Sequence, residues 1–139
     1  MLLWGRLAHA LERHGAAAMA TIAETKGSSP REAGARIVAL PDGTFFGTIG
    51  GGTLEWQVLA QLQTLIARGE AGRFERRTVS LGPELGQCCG GRVTIAFERF
   101  ARPDLDPVKK LAAAEATGPF ATRGIPGERR FERTVVPEA

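Results

Sequence analysis

This 139-residue chain has no tyrosine, two cysteines and two histidines, and its only lysines are Lys26, Lys109 and Lys110. Each scarcity excludes something. Two cysteines cannot build a disulfide framework. Two cysteines plus His9 and His14 are a poor donor set for four-coordinate zinc, because both histidines belong to the first helical segment and its end and sit on different faces of it. No apolar run approaches the roughly 20 residues that span a bilayer, so no membrane role is expected. The absence of tyrosine, and arginines that are dispersed rather than gathered in a stripe, argue against a nucleic-acid surface. The N-terminus, Met1-Leu2-Leu3-Trp4-Gly5-Arg6, lacks the pattern of an export signal, which points to the reducing cytoplasm.

What remains has the hydrophobic content, 43%, and charged content, 24%, of an ordinary globular chain, long enough for one domain with a core. The net charge of +3 is carried almost wholly by arginine, which grips planar anions in a bidentate fork.

Local patterns predict an α+β fold. Leu3, Leu7 and Leu11 repeat at helical spacing over about residues 2–13, and His14-Gly15 supplies a stop. Residues 16–24 read as a buried strand. Residues 36–40 and 44–49 read as a hairpin around Pro41-Asp42-Gly43. Leu54, Val58, Leu59, Leu62, Leu65 and Ile66 mark a second helix over 54–68, with Thr53 as N-cap, Glu55 in its first turn and Gly69 ending it. Residues 74–80 and 92–97 read as strands, the latter with Val93, Ile95 and Phe97 on one face. Near Phe100 the chain turns proline-rich, with a short alanine-rich helix over 106–116 and a hairpin around Gly124-Ile125-Pro126-Gly127. The expectation is a mixed sheet of about five strands carrying two main helices, formed by residues 1–100, with a connector tail over 101–139 that packs or pairs on the sheet edge.

Three polar loops interrupt these elements. Gly50-Gly51-Gly52-Thr53 joins a strand to a helix, where free N–H groups make an anion site. It has neither Walker A nor Rossmann spacing, and a tight structural turn explains it equally well. Lys26-Gly27-Ser28-Ser29-Pro30-Arg31 offers two hydroxyls and two cations to a phosphate, or forms a solvated turn. The third loop, Leu81 to Gly91, carries Gln87-Cys88-Cys89-Gly90-Gly91. Glycine on both sides of the cysteine pair argues for an accessible thiol, and nearby N–H groups would stabilise a thiolate. The alternatives from other classes are a thiol–disulfide redox module, for which adjacent cysteines fit poorly, and a phosphate- or nucleotide-binding domain that uses the triglycine turn alone.

Three segments in this order resemble the N-terminal domain of the xanthine dehydrogenase accessory proteins, the XdhC/CoxI family. They are Ala23 to Arg31, Gly47 to Glu55, and Leu81-Gly82-Pro83 through Gln87-Cys88-Cys89-Gly90-Gly91-Arg92-Val93. The resemblance covers about residues 1–100, and more loosely the connector. It implies a non-catalytic chaperone that transiently binds the molybdenum cofactor, a molybdopterin, protects it, assists its sulfuration and delivers it to an apo molybdenum hydroxylase such as xanthine dehydrogenase. It brings in a cysteine desulfurase as a second partner and a homodimer as a form of the protein. One of Cys88 and Cys89 would meet the molybdenum. Gln87, Gly50, Gly51, Gly52, Thr53, Ser28, Ser29 and Arg31 would hold the pterin and phosphate. The second, Rossmann-type domain of full-length members has no counterpart in this sequence.

Overall fold

The structure, a computed structural model, describes the backbone of residues 2–27, 34–69, 74–81, 91–117, 121–126 and 131–136, and the side chains of residues 2–23, 34–69, 74–79 and 92–117. The elements in chain order are α1 (Leu3–His14), β1 (Ala16–Gly27), β2 (Arg36–Ala39), β3 (Phe45–Gly47), α2 (Gly52–Arg68), β4 (Phe74–Leu81), β5 (Gly91–Ala101), a one-turn 3-10 helix (Arg102–Asp104), α3 (Leu105–Ala116), β6 (Ala121–Pro126) and β7 (Phe131–Val136).

The main sheet has five strands in the order β3-β2-β1-β5-β4. Every described pairing is antiparallel, so the expected mixed sheet is corrected to an antiparallel one. The reason is connectivity. β3 and β4 run in the same direction, but they occupy opposite edges, and α2 crosses the sheet between them without creating a parallel neighbour. β6 and β7 pair as a separate two-stranded antiparallel sheet, in which Gly124, Ile125 and Pro126, read from the sequence as the turn, are instead paired residues of β6.

β1 is central, and Ala17, Ala18, Met19 and Ala20 are buried on its two faces in turn, which explains the apolar start of the strand. Ala18, Ala20 and Ile22 face α2, where they join Leu54, Val58, Leu62 and Leu65 and the β5 residues Val93, Ile95 and Phe97. Ala17 and Met19 face the other way, toward Trp4, Leu7 and Leu11 of α1 and Val108 and Leu111 of α3. The result is three layers, with α2 on one side of the sheet and α1 with α3 on the other. The helix after Phe100 is thus part of the second core. Glu115 of α3 accepts the N–H of Trp4 at 2.9 Å and ties it to the start of α1.

Two helix ends follow sequence logic closely. Gly15 (φ +78°) and Gly69 (φ +74°) adopt the left-handed conformation and donate back to Leu11 and Ile66. The β2–β3 turn is held by Asp42, whose carboxylate accepts both the N–H (2.9 Å) and the hydroxyl (2.5 Å) of Thr44.

Candidate functional site

The site is defined by which strand ends meet. β1 and β5 pair as far as Gly27 opposite Gly91, and β4 pairs with β5 as far as Leu81 opposite Gly91. A bulge between Ile22 and Glu24 carries β1 past the end of β2, whose first residue, Arg36, pairs with Thr21. β1, β4 and β5 therefore project together at one end of the sheet. The segment with Ser28, Ser29 and Arg31 departs from Gly27. The segment with Gln87, Cys88 and Cys89 joins Leu81 to Gly91. These six residues lie outside the described residues, but the backbone positions that anchor their loops are neighbours.

The triglycine turn leads to the same end. β3 rises alongside β2 and stops at Gly47, opposite Ile37, and the chain continues upward through Thr48 and Ile49 into α2. Ile49 is buried against Leu54 and α2's core face, which fixes the turn to the sheet.

The turn is not an empty anion cradle. A single oxygen, Oε1 of Glu55, accepts the Thr48 hydroxyl at 2.6 Å, the Ile49 N–H at 3.0 Å and the Gly51 N–H at 3.2 Å. The Gly50 N–H goes to the Thr48 hydroxyl oxygen at 3.1 Å. The chain thus supplies its own carboxylate to the N-terminus of α2, where the helix dipole favours negative charge. Thr53 is not the N-cap. Gly51 holds that position at φ +75°, ψ −168°, without a side-chain cap, and Thr53 lies exposed one step inside the helix. Only glycine enters this backbone region readily, so α2 begins earlier than the Thr53 signal implied. A Cβ on Gly51 would meet nothing within 4 Å, so the turn presents bare backbone to open space.

Glu55→Ala should therefore cost about 2–3 kcal/mol, because three donors lose a charged acceptor at once. Equilibrium denaturation measures this. A cost under about 0.5 kcal/mol would mean that water replaces Glu55 without loss.

Among the described residues no group of three or more metal-ligating side chains is assembled, and no helix is long and apolar enough to cross a membrane. About 140° of helix rotation separates His9 from His14, yet both line one groove between α1 and the β2–β3 hairpin. This groove lies at the end of the sheet opposite the three loops, because β1 starts there and the Leu40–Thr44 turn closes it.

The fold is a three-layer α/β/α sandwich around an antiparallel sheet, with the ends of β1, β4 and β5 together at one end of it. The chain belongs to the XdhC and CoxI family, whose sequence profile matches residues 10–79. This family is associated with xanthine dehydrogenase maturation. Among individual relatives, the uncharacterized protein YqeB of Escherichia coli K12 is 33% identical over 79 residues, covering 56% of this chain and 14% of YqeB. A crystal structure of a xanthine dehydrogenase from Bacillus halodurans matches 97% of this chain and 42% of its own length, with a TM-score of 0.68 and 21% identity. That likeness is one of fold, and this chain spans less than half of either protein.

Proposed function

We propose that this chain binds the molybdenum cofactor at the loop end of the sheet, shields it, and passes it to an apo molybdenum hydroxylase of the xanthine dehydrogenase type. The observation that supports the reading is the pairing of Gly27 and Leu81 with Gly91, which makes neighbours of the strand ends from which the serine–arginine and cysteine segments depart, in a chain of this family. A soft thiolate from Cys88 or Cys89 suits molybdenum, and Gln87 stands beside the pair in sequence. Ser28, Ser29 and Arg31 have the donors for the cofactor's phosphate. When bound, the cofactor supplies the metal centre that the recipient enzyme needs. The chain's own task is to hold it and exclude water. Sulfuration in the bound state, with a cysteine desulfurase as sulfur source, belongs to the same reading.

The described turn refines the roles of Gly50, Gly51, Gly52 and Thr53. With Glu55 engaging the Ile49 and Gly51 N–H groups, these residues act better as a flat wall for the pterin than as the phosphate cradle. The same geometry counts against the alternative in which this turn alone holds a phosphate or nucleotide, since that ligand would have to displace a carboxylate. The thiol–disulfide alternative makes a different prediction, reversible oxidation with no cofactor.

The test is co-purification. Cys88→Ser, Cys89→Ser and the double variant should yield chain with progressively less cofactor, the double variant falling to background. Full retention by all three would remove the thiols from the site.

A further inference from the structure

We infer that the groove between α1 and the β2–β3 hairpin is a second binding site, for a small phosphorylated anion with an apolar body. It is distinct from the loop end, from which it is separated by about 30 Å along β1 at the usual strand rise. The groove has a volume of about 340 Å³, at the lower end of the range for small-molecule pockets. Its lining divides by chemistry. Ala10, Leu40 and Phe46 give an apolar floor, while Arg6, His9, Arg13 and His14 supply cationic or protonatable groups.

Arg6, His9, Ala10 and Arg13 follow the i, i+3, i+4, i+7 spacing that places residues on one helix face. Like charges so placed repel one another mildly. Here the repulsion is not offset by ion pairs, since among the described residues neither Arg6 nor Arg13 forms one. The acid on α1 turns away from the groove, Glu12 pairing with Lys109 of α3 at 3.1 Å. Arg6 is also prepared for an oxyanion. Its guanidinium carbon stands 4.2 Å from the Phe46 ring centroid, so the ring holds one face of the group while the edge N–H donors stay available.

Asp42 is the only acid that faces the groove among the described residues. It sits 4.0 Å from His14 Nε2. The hydrogen bonds from Thr44 hold its carboxyl below the ordinary carboxylate range, with His14 adding a smaller effect, so it remains anionic through neutral pH. Arg6, Arg13 and Asp42 together give the lining a formal charge of +1. Arg102, close over Gly15, adds a cation near the C-terminal end of α1.

The experiment titrates inorganic pyrophosphate and phenyl phosphate separately into the full chain and follows the ring signals of His9 and His14 by NMR. Both probes should shift both histidines, with phenyl phosphate the tighter because its ring meets Phe46 and Leu40. Arg13→Gln, a change on an exposed side chain, should weaken binding about tenfold, and Arg6→Gln/Arg13→Gln should weaken it further. The Cys88→Ser/Cys89→Ser variant should bind both probes as the native chain does, which separates this site from the loop end. Unmoved histidine signals would overturn the proposal. So would equal affinity in the Arg13→Gln and double variants, or a response to a glutamate-rich peptide with none to either phosphate.

Discussion

Gly47→Ala should unfold the domain more readily than any other single methyl addition among its described glycines, by about 3 kcal/mol or more. Gly47 closes β3 at φ +84°, where an L side chain is already strained. The added Cβ would also overlap the carbonyl oxygen of Arg36 in the neighbouring strand. That atom is backbone, and it sits within the β2–β3 ladder, where Ile37 pairs with Gly47. It cannot swing aside as a side chain could. Relief would require parting β3 from β2, and this would release the segment that leads to the triglycine turn. Gly51→Ala is the internal control. Its φ of +75° has the same sign, but a Cβ there meets open space, so only the conformational cost of about 1–3 kcal/mol applies. Denaturant midpoints for the two variants should therefore separate clearly. Equal midpoints would show that β3 is free to relax.

Trp4→Ala should cost about 3–5 kcal/mol, the usual range for removing a large buried aromatic. Trp4 is 2% exposed. Its ring meets Phe100 edge-on, with centroids 6.4 Å apart and planes at 79°. The Arg36 guanidinium lies over it at 5.4 Å. Its backbone N–H is the donor that Glu115 of α3 receives. One side chain thus touches α1's own layer, the end of β5 and the second strand of the sheet, beside a tie to α3. Amide exchange should accelerate around Val108 and Leu111 in the variant as well as in α1. A loss under about 1 kcal/mol, with α3 protection unchanged, would contradict a shared α1–α3 core.

The sequence made the order of elements legible because most of them are marked locally. Gly15 and Gly69 end helices, Asp42-Gly43 turns a hairpin, and β1 shows the apolar run of a strand buried on both faces. The departures occur where distant contacts decide. The Leu3-Leu7-Leu11 row drifts around α1, whereas Trp4, Leu7, Ala8 and Leu11, buried together with Ala10, follow the true helical period and put tryptophan inside. β5 runs on to Ala101 past Glu98 and Arg99, polar residues that look like a strand end in isolation. In the fold Glu98 is buried opposite Met19, and Arg99 donates to the Ile66 carbonyl. The antiparallel character of the sheet depends on where α2 delivers β4, which no local signal carries.

At the candidate site, the three loops were recognisable by composition, but the common anchorage of two of them needed the β1–β5–β4 register, and that of the triglycine turn the β2–β3 pairing. Glu55 illustrates both sides. Its place in the first turn of α2 was readable as a dipole partner, while its grip on Thr48, Ile49 and Gly51 required the turn to close. The basic groove was hidden for a simpler reason. Five residues separate its two histidines, and only the hairpin packed against α1 gives them a common wall.

The proposed function requires the loop end of the sheet to hold the molybdenum cofactor through the cysteine pair. The most direct measurement mixes the purified chain with the cofactor, separates the protein by size, and counts the molybdenum retained per chain, with and without excess phosphate. The native chain should retain the cofactor stoichiometrically, less so with phosphate present, and the Cys88→Ser/Cys89→Ser variant should retain none. No retention by the native chain, or equal retention by the double variant, would contradict the proposed function.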